Sequence, residues 1–191
     1  NSKKIVVVFI GDGATEEGVF FESLNFASLH KLSVLFVCEN NLYSVYTPLY
    51  KRQPKNRDII KIANSFGIEG SRMDGNDVEN IFYKTKKFKS TIKKTGNPIL
   101  LEFSTYRYLE HCGPNNDDNL NYRSKREIKY WKNKCPIETY KFKLEKNNLL
   151  SKNELDYFSN KINKEIDRSF NFAKNSKFPS VHTLKQHIYA K

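Results

Sequence analysis

The residues of this chain best suited to bind a metal ion lie in two polar turns, each directly after an apolar run. Asp12 lies in a Gly-Asp-Gly turn that follows the run Lys4–Ile10, and Asn41 ends a Glu-Asn-Asn turn that follows the run Ser33–Cys38. Carboxylate and amide oxygens are hard ligands suited to Mg²⁺, which usually also binds phosphate oxygens. The two turns together therefore predict a site for Mg²⁺ and a diphosphate.

The elements around these turns should place them side by side. Lys4–Ile10 is rich in β-branched residues and shows no alternation, which predicts a strand buried on both faces of a parallel sheet. Ser33–Cys38 predicts a second buried strand, and we expect a helix between them from about Thr15, as its N-cap, to His30. In such a βαβ unit both turns lie at the carboxyl ends of neighbouring strands, where open α/β sheets bind ligands.

Gly13 supports the anion-binding part of this prediction. A glycine lets the backbone approach a phosphate closely, and the N-terminus of the following helix adds free N–H groups and a positive dipole. The alternative is structural, because Asp-Gly is a common strand–helix turn and Asn40-Asn41 would then be an ordinary loop. The presence of both turns in one βαβ unit favours the functional interpretation.

The rest of the chain continues the alternation of strands and helices, which predicts an open α/β layered fold. Tyr43–Arg57 contains two prolines and is expected to form a loop. The further elements that we expect are helices at Asp58–Phe66, from Val78 to about Lys94, at Ser124–Lys134 and after a capping box at Ser151, and a strand at Ile99–Tyr106. In the helix that begins at Val78, the residues expected to face inward are Val78, Ile81, Phe82, Thr85, Phe88 and Ile92.

Composition and charge narrow the class of protein. Hydrophobic residues make up 38% of the 191 residues, as in a globular domain, and no run reaches the ~20 apolar residues that a membrane span needs. The formal net charge of +12 would suit nucleic-acid binding, but the basic residues are spread along the whole chain. An anionic cofactor or an acidic protein partner fits the charge equally well, and we expect neither nucleic acid nor a membrane as a partner.

The cysteines and the N-terminus suggest a cellular context. Cys38, Cys112 and Cys135 match neither a disulfide framework nor a zinc-binding pattern, which favours the reducing cytoplasm. The chain shows no signal-peptide pattern and begins without Met, so we expect an N-terminal part to be missing.

Gly11–Asn41 resembles the thiamine-diphosphate motif, in which Gly-Asp-Gly is followed by a helix, a hydrophobic strand and Asn-Asn. It is most similar to the α subunits of the E1 component of pyruvate, branched-chain and acetoin dehydrogenases, which are thiamine-diphosphate-dependent 2-oxo acid dehydrogenases. The resemblance extends to Met73–Asp77, Pro98–Tyr108, Tyr122-Arg123, Phe178-Pro179 and Ile188–Ala190. It implies a three-layer α/β fold with a mainly parallel sheet. Residues 1–191 would form a single, truncated thiamine-diphosphate-binding domain, with C-terminal helices from about residue 124.

The resemblance also implies roles for the residues of the two turns. Mg²⁺ would be bound by Asp12, by the side chain of Asn41 and by the carbonyl of Tyr43. The diphosphate of thiamine diphosphate would lie against the turn and its backbone N–H groups, which belong to Gly11, Gly13 and Ala14. If instead these residues serve only structure, Tyr43 is a packed aromatic.

Arg107 and His111 follow the strand Ile99–Tyr106 and match two further family positions. The resemblance implies that Arg107 faces the diphosphate and that His111 lies at the mouth of the active site, where it could donate to a bound carboxylate or move a proton. The alternatives are a surface salt bridge for Arg107 and an exposed loop residue for His111. The chain departs from the family at Leu109-Glu110, which replaces His-Gly, and at Cys112, which replaces a serine.

By resemblance, the activity is the oxidative decarboxylation of a 2-oxo acid with transfer of the acyl group to a lipoyl group. The partners implied are an E1 β subunit in an α₂β₂ heterotetramer, a lipoyl-bearing E2 acyltransferase and a 2-oxo acid substrate. The glutamate that activates the cofactor belongs to the β subunit in this family, so we expect this subunit alone to be inactive. The alternatives are another thiamine-diphosphate enzyme, either transketolase-like or a non-oxidative decarboxylase, or a non-catalytic basic interaction module.

Overall fold

The computed structural model of the chain describes residues 4–186, and its centre is a parallel sheet of four strands in the order β1-β2-β6-β5. A separate two-stranded antiparallel hairpin joins β3 to β4. The strands are β1 (Val6–Gly11), β2 (Val34–Asn40), β3 (Tyr43–Ser44), β4 (Thr47–Pro48), β5 (Glu69–Asp74) and β6 (Ile99–Ser104). The predicted α/β class with a parallel sheet is confirmed.

Helices connect the strands and follow the last of them. They are α1 (Gly18–Leu29), α2 (Leu49–Arg52), α3 (Ile59–Ser65), α4 (Val78–Thr95), α5 (Lys125–Lys132), α6 (Pro136–Lys146) and α7 (Lys152–Asn175). Short 3₁₀ turns lie at Gly13–Glu16, Asp118–Leu120 and Val181–Lys185. No helix within residues 4–186 is both long enough and apolar enough to cross a membrane.

The sheet has a hydrophobic core on each face, which makes three layers. Phe36, Cys38 and Leu100 pack on one face against residues of α1 and α3. Leu35, Val37 and Leu101 alternate to the other face and pack against Phe88 and Ile92 of α4. Because β2 and β6 are covered on both sides, they have the continuous apolar composition that parallel sheets require.

The prediction that the first strand is buried on both faces is wrong. β1 pairs only with β2 in the described sheet, so it is an edge strand. Its residues Val6 and Phe9 are 60% and 68% exposed. A run without alternation shows that a strand is apolar on both faces, but it does not show what lies next to the strand.

Several other expectations need correction. Thr15 does not cap the first helix; it lies in the 3₁₀ turn, its hydroxyl donates to the Asp12 carbonyl (2.6 Å), and α1 begins only at Gly18. In α4 only Phe88 and Ile92 are buried, whereas Val78 and Phe82 are exposed.

Three regions of the structure differ from the sequence-based prediction. The strand β5 was not predicted and has few apolar residues, since Met73 is its one buried position. The region expected to be a loop, Tyr43–Arg57, contains the β3–β4 hairpin and α2. The helix α6 was not predicted.

The chain divides into two compact units, one that runs to Tyr140 and one that begins at Lys141. The second unit contains α7, which begins with the predicted capping box, since Ser151 accepts from the N–H of Glu154 and the Glu154 carboxylate accepts from the N–H of Ser151. The sheet and the two polar turns belong to the first unit.

Asp58 joins α3 to the sheet. Its carboxylate caps α3 by accepting from the N–H groups of Ile60 (2.9 Å) and Lys61 (3.1 Å), and it also pairs with Arg72 of β5 (3.2 Å). Burial alone would raise the pKa of Asp58, but the cap hydrogen bonds and the Arg72 guanidinium outweigh it, so the pKa is lowered.

We expect Asp58→Asn to lower the free energy of unfolding by roughly 0.5–1 kcal/mol near pH 7. Asparagine can still cap the helix, so the substitution removes mainly the charge. Because the folded-state pKa of Asp58 is lowered, its stabilising effect is present above its unfolded pKa of about 3.9 and is lost as the pH falls through the folded value. Urea unfolding of both proteins between pH 3 and 7 should show their stabilities converging at acid pH. Equal free energies of unfolding for the wild type and Asp58→Asn at pH 7 would contradict the prediction. The matched control is Asp77→Asn, which changes the carboxylate that caps α4.

Candidate functional site

The two polar turns lie at the same edge of the sheet, as predicted. β1 and β2 run in parallel with Gly11 opposite Glu39, so Asp12 and Asn40 leave their strands at the same level. The backbone N–H of Asn41 donates a hydrogen bond to the Asp12 carboxylate. The structure therefore brings Asp12 and Asn41 together.

The carboxylate of Asp12 is almost completely buried and is neutralised by an arginine. The side chain of Asp12 is 2% exposed, and the Arg52 guanidinium of α2 forms an ion pair with its Oδ2. A second nitrogen of Arg52 pairs with Glu16. Burial raises the pKa of Asp12, while Arg52 acts in the opposite direction.

Gly13 and Ala14 lie in the 3₁₀ turn directly after Asp12, rather than at the N-terminus of a long helix. A side-chain Cβ at Gly13 would lie 3.0 Å from the hydroxyl oxygen of Ser44 and 3.2 Å from its Cβ. Any larger residue here would therefore press against the β3–β4 hairpin, and Ser44 would have to shift. Backbone binding of an anion at Gly11, Gly13 and Ala14 stays a prediction.

Asn40 and Asn41 form two successive side-chain turns. The Oδ1 of Asn40 accepts from the N–H of Leu42 (3.0 Å), and the Oδ1 of Asn41 accepts from the N–H of Tyr43 (2.9 Å). Such turns are the usual role of asparagine in loops, and they hold Leu42 in the left-handed region at φ 69°. Because an amide oxygen has two lone pairs, the Oδ1 of Asn41 can still coordinate a metal ion.

The environment of Tyr43 favours a main-chain role. Its hydroxyl donates to Glu127 (2.9 Å), and its ring packs edge-on against Tyr122. In the hairpin Tyr43 lies opposite Pro48, which has no N–H to donate to the Tyr43 carbonyl. The side chain is therefore a packed aromatic, and the carbonyl keeps capacity for a ligand.

These donors fit Mg²⁺. They are a carboxylate, an amide oxygen and a main-chain carbonyl, all hard oxygen ligands, and the carboxylate already accommodates the positive charge of Arg52. No group of three or more His, Cys, Asp or Glu residues in the described part of the chain is arranged to hold a metal ion. A site with one carboxylate would leave the remaining coordination positions to neutral oxygens, water and phosphate.

Two residues of the region after α2 complete the surroundings of Asp12. The guanidinium of Arg57 donates to the hydroxyl and the carbonyl of Thr15, and it also donates to Gln53 (2.9 Å). Gln53 in turn donates to Glu16 (2.6 Å). These contacts were not predicted from the sequence, because they depend on the path of residues 42–57.

Arg107 lies in a second network. Its guanidinium donates to the carbonyls of Leu109 and Val45 (both 2.9 Å) and to the hydroxyl of Tyr122 (2.8 Å), and it pairs with Asp117 (3.4 Å). One of its nitrogens, Nη1, is buried and has no hydrogen-bond partner in the described structure. Arg107 thus ties the β3–β4 hairpin to the loop after β6. Its proposed contact with the diphosphate stays a prediction.

Asp117 is the buried centre of that network. It pairs with Arg123, and both side chains are 2% exposed. The Arg123 guanidinium lies between the rings of Tyr106 and Tyr122, 4.9 and 4.7 Å from their centroids. This arrangement anchors the far end of the loop after β6.

His111 is exposed on this loop. Glu110 closes the loop around it, because the Glu110 carboxylate accepts from the side chain of Asn115 (2.7 Å) and its N–H donates to the Asn115 carbonyl (2.9 Å). The loop thereby presents His111 and Cys112 to solvent. The structure does not connect His111 with Asp12 through any direct contact, so its catalytic role stays a prediction.

Comparison with known proteins identifies the family. The family model for the dehydrogenase E1 component matches residues 1–182. The chain is 32% identical to the pyruvate dehydrogenase E1 component subunit alpha of Rickettsia bellii (strain RML369-C), over 98% of this chain and 56% of that protein. It is 30% identical to the 2-oxoisovalerate dehydrogenase subunit alpha of Bacillus subtilis (strain 168), over 99% of this chain and 57% of that protein.

A mammalian relative has a similar level of identity. The somatic, mitochondrial form of the pyruvate dehydrogenase E1 component subunit alpha of Rattus norvegicus is 34% identical, over 98% of this chain and 47% of that protein. The chain spans about half the length of the curated relatives it matches. The Ile188–Ala190 segment of the predicted resemblance lies outside the described residues. With the family model covering almost all of its length, the chain belongs to the dehydrogenase E1 component family.

Proposed function

We propose that the protein containing this chain is the α subunit of a thiamine-diphosphate-dependent 2-oxo acid dehydrogenase, and that this chain binds Mg²⁺ and the diphosphate. The observation that carries the proposal is the position of Asp12 and Asn41 side by side at the carboxyl ends of β1 and β2. Family membership supports the reaction class.

In this proposal each oxygen donor has its own part. Asp12 supplies the negative charge for Mg²⁺, while the Asn41 side chain and the Tyr43 carbonyl supply neutral oxygens. Gly11, Gly13 and Ala14 give the diphosphate access to the backbone, and the spare Nη1 of Arg107 is a further cationic donor. Bound thiamine diphosphate would supply the chemistry of decarboxylation and of acyl transfer to a lipoyl group.

His111 is the proposed acid–base residue. It is exposed at the tip of a loop that both Glu110 and Arg107 hold in place. An imidazole in such a position can reach a substrate carboxylate or move a proton near neutral pH.

The proposed partners are a β subunit, in an α₂β₂ heterotetramer, and a lipoyl-bearing E2 acyltransferase. The three cysteines are free thiols, which agrees with the proposed location in the cytoplasm. Burial raises the pKa of Cys38 to about 12, so this thiol is inert.

The other candidate functions have less support. A transketolase-like enzyme or a non-oxidative decarboxylase would share the Asp12–Asn41 site, but the relatives are named as 2-oxo acid dehydrogenase subunits. The match to the dehydrogenase E1 component family over residues 1–182 gives a basic interaction module less support.

The first test concerns the metal ligand Asp12. Calorimetric titration of Mg²⁺ in the presence of thiamine diphosphate should show binding by the full-length protein. We expect Asp12→Asn to lower the Mg²⁺ affinity at least about 100-fold. Mutating a residue that only hydrogen-bonds to a metal ligand already lowers metal affinity roughly 10- to 100-fold, and a ligand itself should matter more. The control is Asp58→Asn, which changes a carboxylate outside the site. Unchanged Mg²⁺ binding by Asp12→Asn would refute the site.

A second test concerns Arg52. Its guanidinium pairs with one oxygen of the Asp12 carboxylate, so it competes with a metal ion for the negative charge of Asp12. We expect Arg52→Gln to tighten Mg²⁺ binding by roughly tenfold, because a charge-assisted hydrogen bond no longer competes. Weaker binding by this variant would mean that Arg52 holds the diphosphate instead. The control is Arg126→Gln, which removes a solvent-exposed arginine of α5.

A third test concerns the partner. The full-length α subunit alone should show no decarboxylation of any 2-oxo acid, and adding its β subunit should restore it. The reason is that the described residues offer donors for the diphosphate and the metal ion, whereas the activating glutamate is expected on the β subunit. Robust turnover by the α subunit alone, measured as CO₂ release, would contradict the assignment.

A further inference from the structure

The residue Glu102 is neither a proposed metal ligand nor a proposed diphosphate contact. It lies in the middle of β6, an otherwise apolar strand, and its side chain is only 3% exposed. A buried carboxylate is costly unless it is paired and hydrogen-bonded. Its presence between Leu101 and Phe103 therefore needs an explanation.

The strand register determines which residues Glu102 meets. β6 lies between β2 and β5, with Cys38 on one side and Arg72 on the other directly opposite Glu102. Asn40 comes two residues after Cys38, so its side chain lies on the same face of the sheet. One carboxylate is thus within reach of both a cation and the first asparagine of the Asn-Asn turn.

The contacts use both oxygens of this carboxylate. Its Oε1 accepts from the Nδ2 of Asn40 (2.8 Å), and its Oε2 accepts from Arg72 (Nε at 2.9 Å, Nη2 at 2.8 Å). The amide of Asn40 is thus held at both ends, since its Oδ1 accepts from the N–H of Leu42 (3.0 Å). Glu102 therefore decides which way the Asn40 amide faces.

The orientation of Asn40 matters for the residues next to it in the chain. If its amide were reversed, an NH₂ group would face the N–H of Leu42, and the turn that keeps Leu42 at positive φ would lose its hydrogen bond. Asn41 and Tyr43, the proposed neutral ligands of Mg²⁺, lie on either side of Leu42. The direction of their oxygens therefore depends on this turn.

We propose that Glu102 is a positioning residue for the metal site, acting through Asn40 on the turn that carries Asn41 and Tyr43. This inference rests on the proposed function, because it concerns the same Mg²⁺ site. Glu102 does not touch the metal ion or the cofactor. It fixes the ligands from inside the sheet, while Arg72 supplies the charge that allows the carboxylate to be buried.

The experiment measures Mg²⁺ affinity, at saturating thiamine diphosphate, and melting temperature in the full-length protein. We expect Glu102→Gln to weaken Mg²⁺ binding roughly 10- to 100-fold, the range typical of residues that orient a metal ligand. Asn40→Ala should cause a similar loss while keeping the Glu102–Arg72 pair, so it tests the idea even where Glu102→Gln fails to fold. Asp58→Asn is the matched control, because it removes the other carboxylate partner of Arg72 and should leave the affinity unchanged.

A double variant tests the hydrogen bond itself. In Glu102→Gln combined with Asn40→Asp, the donor and the acceptor exchange places: the glutamine NH₂ can donate to the aspartate, which still accepts from the Leu42 N–H. Recovery of Mg²⁺ affinity in the double variant, relative to each single variant, is the expected result.

Two outcomes would overturn the inference, and they are distinguishable. If the wild type binds Mg²⁺ but Glu102→Gln and Asn40→Ala lower only the melting temperature, Glu102 is structural and the proposed function stands. If the wild type does not bind Mg²⁺ with thiamine diphosphate, the proposed function fails and the inference fails with it.

Discussion

A carboxylate buried at the end of a strand is the constraint on which the rest of the site depends. Asp12 is 2% exposed on its side chain, and a charge so deeply buried must have a cation beside it. In this structure the cation is Arg52, which brings α2 and the β3–β4 hairpin over the turn after β1. The hairpin then lies so close that a Cβ at Gly13 would press against Ser44, while Glu16 pairs with Arg52 and accepts from Gln53. Much of the path of residues 42–57 therefore follows from one buried charge.

The sheet and its buried carboxylates hold the turn after β2 and the loop after β6 in place. The turn after β2 is not held by its own backbone alone, since Asn40 is anchored on Glu102 of the neighbouring strand. The loop after β6 is anchored in the same manner, with Asp117 buried between two arginines and Arg107 reaching back to the hairpin at Val45. In both cases a polar loop is fixed by a buried carboxylate with arginine partners. Such networks are most stable when every donor and acceptor is satisfied. In the loop network, however, Nη1 of Arg107, Nε of Arg123 and the hydroxyl of Tyr106 are buried without a hydrogen-bond partner among the described residues.

Sequence patterns were sufficient for the parts of the site that are local. The turns at Asp12 and Asn41 come directly after apolar runs that can only be strands, and the parallel connection then places them together. Arg52 could not be predicted, because its pairing with Asp12 depends on a hairpin that has no periodic signal. Glu102 did leave a signal, as a charged residue within an apolar strand, but the sequence does not reveal its partners. The exposed side chains of β1 show a second limit of the sequence pattern. The composition of this strand predicts burial on both faces, but burial depends on which other elements pack beside the strand.

Leu109-Glu110 and Cys112 are the positions at which we expect the loop after β6 to depart from the family pattern, and the structure gives Glu110 a physical role. Glu110 binds Asn115 across the loop, so the carboxylate holds the loop by an internal contact. A Cβ at Gly113 would meet the Glu110 carboxylate, which would then have to shift. The substitutions therefore affect how the loop presents His111, while Asp12, Asn41 and their supports lie on separate elements. For the proposed site, a change in this loop would alter the surroundings of His111 without altering the elements that carry the proposed metal ligands.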